Sequence, residues 1–301
     1  MNRTPHMLLI FFIILVLSAN GVAAPVGNIG DPMLWNPGPF QQEGGLSLTS
    51  TLTFENQTNQ LVGQMTRFSW TKPDVLPLEK RHYSQTRSSK NTLNTLGLKL
   101  GFPIKDKAVI YGVVGNSDST INFHYEDTTV VRSADGIQSF SRNFKKDNTF
   151  ESGSDIFFGL GASFIIQRGE YEKIPLTLGM DISYRRYSIE QDKVASEGLS
   201  YSSTLDEIQL AFCLSAETKL FSPYLGVKVA SITGTEDYIN NKYLSSYYNE
   251  GYIHYNQDIT WSKNIGYLMG VTTSIKGLLT VGIEVRGGDE NAIGINATTR
   301  F

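Results

Sequence analysis

Residues 174–185, IPLTLGMDISYR, decide how this chain folds. Ile174, Leu176, Leu178, Met180, Ile182 and Tyr184 share one parity, and Thr177, Gly179, Asp181, Ser183 and Arg185 the other. A period of two is strand geometry, because successive side chains of an extended chain point to opposite faces. The same alternation recurs at 96–102, 158–166, 208–216, 225–229, 265–271, 279–285 and 293–301.

Two environments can bury the apolar face. In a water-soluble sandwich, strands are typically about 5 to 6 residues long and show lysine, glutamate and threonine to water. Here the alternating runs extend for about 10 to 14 residues, the length a tilted strand needs to cross a bilayer. Their second face holds glycine and serine with scattered charges. The apolar face is therefore expected to meet lipid, and the other face to look into a lumen. The connections agree: short turns at 103–107, 221–223 and 274–277 alternate with long polar stretches at 72–91, 118–153, 190–204 and 236–258.

The predicted fold is all-β, a transmembrane antiparallel up-and-down β-barrel. Bacterial single-chain barrels close with an even strand number, leaving no backbone donor facing hydrocarbon. The segments 46–56 and 61–71 break that parity. Either they merge into one crossing, giving ten strands, or a further strand hides elsewhere, such as a hairpin from 120–125 and 137–144, giving twelve. About twelve is the expectation, within bounds of ten to sixteen.

Composition sets limits on this reading. The 301 residues are 40% hydrophobic and 18% charged, with 28 glycines, 15 tyrosines, 16 phenylalanines and one cysteine, Cys213. A disulfide scaffold and a multi-cysteine zinc site are excluded. The net charge is −3 with no basic patch, so a nucleic-acid partner is not expected. Arg3, the apolar run 8–17 and the small residues Gly21, Val22, Ala23 and Ala24 read as a secretory signal, with 1–23 removed. The expected organisation is a signal peptide at 1–23, a periplasmic or plug segment at 24–45 and a barrel at 46–301. That places the mature chain in the cell outer membrane of a Gram-negative-type bacterium. The terminal Phe301 after an alternating strand resembles the closing aromatic of such barrels, which the barrel assembly machinery reads as a signal.

Three segments resemble the chlamydial major outer membrane protein and its porin relatives. They are Pro25, Val26, Gly27 and Asn28 with Asp31, Pro32 and Leu34; the stretch 220–228, LFSPYLGVK; and the last strand pair, 279–286 and 293–301. The resemblance implies a porin of sixteen strands, often a homotrimer, admitting small solutes. This chain is shorter, and its single cysteine does not imply that family's disulfide-linked coat.

Chemistry on the chain is sparse. The mature histidines His82, His124 and His254 all fall in expected loops and lack the neighbours that an outer-membrane protease or phospholipase needs to activate water or serine. No enzyme, metal or cofactor is expected, and Asp289 and Glu290 near the final hairpin read as rim or lumen charges. By parity, the residues expected to line the pore are Lys99, Asp181, Arg185, Glu217, Lys228, Glu284, Arg286 and Arg300, an excess of positive charge that favours anions slightly. Glu284 and Arg286, two apart on one face, could equally pair and brace the wall. The tyrosines at 238, 243, 247, 248, 252 and 255 suit either the aromatic girdle at the membrane boundary or a constriction or adhesive loop. The expected function is a passive outer-membrane porin for small polar solutes, in contact with outer-membrane lipid. The alternative is a structural or adhesive barrel with a plugged lumen.

Overall fold

A computed structural model describes residues 27–30, 48–65, 82–104, 107–132, 139–191, 199–240, 253–261, 265–275, 278–288 and 290–300. Twelve strand segments follow in chain order: β1 (Thr49–Met65), β2 (His82–Ile104), β3 (Ala108–Arg132), β4 (Ser139–Glu151), β5 (Asp155–Tyr171), β6 (Ile174–Gln191), β7 (Leu199–Ala216), β8 (Ser222–Asn240), β9 (Ile253–Trp261), β10 (Ile265–Ile275), β11 (Leu279–Gly287) and β12 (Asn291–Arg300). All pairings are antiparallel.

Ten of these segments close a ring: β1, β2, β3, β5, β6, β7, β8, β10, β11 and β12, with β12 returning to β1. The other two continue staves of the ring above it. β5 occupies the lower edge of β3 up to Ser117↔Asp155, and β4 occupies the upper edge from Thr120↔Glu151. In the same way β10 pairs with 222–229 of β8 and β9 pairs with 233–240. β9 then leans across the short β10–β12 hairpins to meet β1 at Leu61↔Trp261.

About twelve is therefore the number of segments, while the closed wall has ten strands rather than the sixteen that the porin resemblance implies. The merged reading of 46–56 and 61–71 holds within the described residues, since β1 is one strand from Thr49 to Met65.

The strands carry two opposite patterns of burial. Low on the wall the outward residues are apolar and exposed. They include Leu96, Leu98, Leu100, Phe102 and Ile104 on β2, Ile156, Phe158 and Leu160 on β5, and Leu225, Val227 and Val229 on β8; Leu160 is 63% exposed. Higher up, the outward positions turn polar: Asn94 and Lys90 on β2, Asn116 and Asp118 on β3, Ser188 and Glu190 on β6, Ser231 and Thr233 on β8. At that height the apolar residues are inside. Leu93, Ile121, Phe157, Tyr187, Ile189, Leu205, Ala230, Ile232 and Ile259 form one buried cluster.

The parity of the hydrophobic side chains thus inverts along single strands, as from Leu225, Val227 and Val229 to Ala230 and Ile232 on β8. An outward apolar surface is favourable only against hydrocarbon, and an inward apolar core beneath polar residues only against water. The lower wall therefore spans a bilayer, and the upper wall stands in water as an ordinary β-sheet core.

This corrects the sequence reading of the polar stretches. Most of 118–153 is strand, in β3 and β4, and β2 begins at His82 inside the expected loop 72–91. The outward residues described above the membrane on β2 and β3, Lys90, Asn94, Asn116 and Asp118, are polar, so these strands read as loops. His82, His124 and His254 lie on β2, β3 and β9 rather than in loops. Tyr238 and Tyr255 are register partners between β8 and β9, nine residues beyond the last outward apolar residue of β8, Val229, in the case of Tyr238. That height is wrong for a girdle at the membrane boundary. The tyrosines at 243, 247, 248 and 252 lie outside the described residues, as do residues 1–23, where a signal peptide is expected, most of 24–45 and Phe301.

Candidate functional site: the lumen

Whether solutes pass depends on what the inward parity carries. Tyr111 on β3 lies opposite Gly161 on β5, and a Cβ at Gly161 would come within 2.5 Å of the tyrosine ring. Tyr224 on β8 and Gly270 on β10 repeat this pairing. Glycine here is the space into which a neighbouring ring folds, so these glycines make room for packing rather than for water.

Each ring carries its hydroxyl to a carboxylate. Tyr111 donates to Asp181 at 3.0 Å, and Ser163 donates to the same carboxylate at 2.6 Å. The Lys99 ammonium sits 3.5 Å from the centre of the Tyr111 ring, a cation–π contact. Tyr224 donates to Glu284 at 3.0 Å, and Tyr187 to Glu207 at 3.2 Å. Tyr201, higher up, donates to Glu236 at 2.6 Å.

Above this layer the charges pair across the barrel. Arg286 on β11 holds Glu55 on β1 in a close ion pair, and lies 3.4 Å from Glu284 and 3.5 Å from Glu290. Lys228 on β8 pairs closely with Glu290, and Arg185 on β6 lies 3.8 Å from Glu55. Arg286, Glu284, Glu290, Lys228 and Glu55 are all essentially without solvent contact. Buried charges persist only when paired and hydrogen-bonded, so these groups form one braced network that joins β1, β11, Glu290 just before β12, β8 and β6.

The end of the barrel that carries the short turns is filled by the chain itself. Ile29 is 1% exposed and packs with Val109, Ala211, Cys213, Tyr224 and Leu268. The Gly27 N–H donates to Glu284 at 2.9 Å, and the Asn28 amide donates to Thr272 at 2.9 Å. Gly30 lies so close to Ser215 and Thr177 that no side chain would fit there. Residues 27–30 therefore lie against the inward side chains at that end of the ring. From that end upward, the interior carries the plug, the tyrosine–carboxylate layer, the ion-pair network and the apolar cluster.

Of the residues expected to line a pore, Asp181, Arg185, Lys228, Glu284, Arg286 and Arg300 are inward and buried, and Lys99 is inward and half-buried. Glu217 is corrected: it lies past the end of β7 in an exposed turn, where its N–H donates to the Pro175 carbonyl. Glu55, Glu207 and Glu236 were not among the expected lining residues, though their strand parity placed them, and Glu290 was expected only as a rim or lumen charge. With them, the inward groups among the described residues are five cations (Lys99, Arg185, Lys228, Arg286, Arg300) and six carboxylates (Glu55, Asp181, Glu207, Glu236, Glu284, Glu290). Among these described groups there is no excess of positive charge. Glu284 and Arg286 do pair, as their spacing allowed. Among the described residues no group of three or more histidine, cysteine or carboxylate side chains could hold a metal.

No protein-family model matches the chain, and no curated protein matches it in sequence. Solved structures to which it is similar include the transport unit of the autotransporter AIDA-I of Escherichia coli, at 12% identity over 87% of this chain and 92% of that one, with a TM-score of 0.36. The outer membrane protease OmpT of Escherichia coli is 9% identical over 85% and 95%, with a TM-score of 0.45. The toluene transporter TbuX of Ralstonia pickettii is 9% identical over 95% and 96%, with a TM-score of 0.28. The membrane placement above rests on the inverted exposure of the wall, not on these likenesses, and the chlamydial resemblance remains one of three sequence segments.

Proposed function

We propose that this chain is an outer-membrane barrel of a Gram-negative-type bacterium with an occluded lumen, and that it serves as a structural anchor holding a β-sheet platform in water above the bilayer. The observation that carries this reading is the filled interior: residues 27–30, the buried ion-pair network and the apolar cluster succeed one another along the axis. A passive porin needs a continuous aqueous path, and a layer of Leu93, Ile121, Phe157, Leu205 and Ile232 supplies no polar surface to replace a solute's water. The tall upper wall supports the second half of the reading, since β3 continues to Arg132, well above the outward apolar Val114.

Conductance tests the proposal. Purified, refolded protein in planar bilayers is expected to give no stepwise ionic current at neutral pH. Regular current steps that vanish in a misfolded control would restore the porin reading.

A further inference from the structure

One side of the wall carries a ladder of amides and hydroxyls directly above its apolar band. The register sets Leu52, Leu98 and Val114 side by side on β1, β2 and β3, and Phe54, Leu96 and Asn116 in the next row up. The row above is Asn56, Asn94 and Asp118, and the following one is Thr58, Thr92 and Thr120. A third polar row sets Lys90 on β2 beside Asn122 on β3 and Thr149 on β4. All nine side chains of these polar rows are exposed or half-buried.

Height decides what meets this face. Successive rows are two residues, about 6.6 Å, apart along the strands, so with a tilt of about 40° the three polar rows rise through about 10 Å. They begin one row above the exposed Phe54 and Leu96. A leaflet's headgroup layer is about 5 to 8 Å deep, so the neighbour at this height is the headgroup of an outer-leaflet lipid.

The side chains decide which headgroup. The charges on the face are Lys90, Asp118 and Glu151, the register partner of Thr120, so a phosphate would find one cation against two carboxylates. Amides and hydroxyls both donate and accept, as sugar hydroxyls do, whereas a phosphate diester only accepts. The Asn56 amide donates to Asn94 Oδ1 at 2.5 Å, the Thr58 and Thr92 hydroxyls lie 3.3 Å apart, and the Thr149 hydroxyl donates to Asn122 Oδ1 at 2.7 Å. These bonds fix the side chains before a ligand arrives, which lowers the entropy lost on binding. At the same height on β6 and β7 the outward groups are ionic instead: Arg186 lies 3.8 Å from Asp206, which also accepts the Tyr184 hydroxyl.

We propose that the outward face of β1, β2 and β3 above the apolar band, completed by Thr149 of β4, binds the uncharged sugar headgroup of an outer-leaflet glycolipid. The inference shares the bilayer placement with the anchor reading and is independent of the filled lumen.

The test uses the chain from Ala24 onward, refolded in vesicles of phosphatidylethanolamine and phosphatidylglycerol with or without digalactosyl diacylglycerol, an uncharged sugar-headed lipid. Cys213 is buried, so a membrane-impermeant maleimide reports the thiol introduced by Thr92→Cys at the centre of the ladder. Ser188→Cys, exposed on the outward face of β6, is the control. The glycolipid should slow labelling of Thr92→Cys at least fivefold and of Ser188→Cys less than twofold. Adding Asn56→Ala, Asn94→Ala and Asn122→Ala to Thr92→Cys should restore the rate, with folding checked by gel mobility. Asn122→Ala alone, which leaves the bond between Asn56 and Asn94 in place, should restore part of it.

Equal slowing at both cysteines would overturn the proposal, because headgroups would then crowd the whole wall alike. Slowing that survives the triple substitution, or that extra phosphatidylglycerol produces as well as the glycolipid, would overturn it too. Protection by free digalactose without the glycolipid would overturn the lipid as the source of the sugar. Conductance measured on the same preparation separates the two readings: current together with sugar-dependent protection defeats the occluded lumen only, and silence without protection defeats the sugar surface only.

Discussion

Placing arginine at Leu100 tests the claim from which the membrane reading follows. Leu100 lies in the middle of the outward series Leu96, Leu98, Leu100, Phe102 and Ile104 on β2 and is 39% exposed. From Leu96 to Ile104 there are eight residue steps, about 26 Å along the strand at roughly 3.3 Å each. With a tilt of about 40°, that is a band of about 20 Å, close to the apolar height typical of such barrels. Leu100 then sits near the midplane, where an arginine costs about 2 to 4 kcal/mol. The folding equilibrium should shift by between one and three powers of ten.

The assay is reversible unfolding in guanidinium from lipid vesicles, followed by the shift in gel mobility that marks folded barrels and by tryptophan fluorescence. Asn94→Arg is the matched control. It is exposed on the same face of the same strand, six residues higher, and should cost less than about 1 kcal/mol because that position faces water or headgroups. Leu93→Arg, one position away but inside the apolar cluster, should cost more than about 3 kcal/mol, since its charge would be buried without a partner. Were Leu100→Arg to leave the midpoint unchanged, or Asn94→Arg to cost as much, the outward residues would not be meeting hydrocarbon, and the inversion of parity would need another cause.

Further outcomes follow from the interior. Glu55→Ala leaves Arg286 and Arg185 buried beside a vacated carboxylate and should destabilise by about 3 to 5 kcal/mol; adding Arg286→Met to Glu55→Leu should recover part of the loss in a double-mutant cycle of unfolding midpoints. Gly161→Val puts a Cβ within 2.5 Å of the Tyr111 ring and 2.6 Å of the Ile182 carbonyl, so about 1 to 3 kcal/mol of strain should appear as a lower midpoint; a neutral result would mean that the ring does not fold over the glycine. Glu172 and Lys173 form the two-residue turn between β5 and β6 with φ of 50° and 65°. Lys173→Gly should therefore stabilise by about 1 kcal/mol, and a loss of stability would show that the lysine contributes more than its backbone strain takes away.

The alternation at 174–185 was enough to identify strands and to place the apolar side of each against lipid, because a period of two needs no neighbour to be read. It also placed Asp181, Arg185, Lys228, Glu284 and Arg286 on the inner face. It misplaced Glu217, since parity carries no information on where β7 ends and its turn begins. The upper strands were hidden for a different reason. The described outward residues at that height, Asn116 and Asp118 on β3 and Ser231 and Thr233 on β8, are polar because water surrounds them, and a polar extended segment has the composition of a loop. Only the pairing of β3 with β4 and of β8 with β9 separates the two.

The sequence alone settles which residues share a face, since that follows from the geometry of one extended chain. What occupies the space between the faces depends on the stagger of ten strands against one another, and only the tertiary structure sets it. Glu55 and Arg286 are 231 positions apart and meet because β12 lies between β1 and β11. Ile29 fills the lumen because the barrel closes around it. A pattern local to each strand can state that charges face inward. Whether they line water or neutralise one another is decided by distances across the lumen, and those distances exist only once the wall is closed.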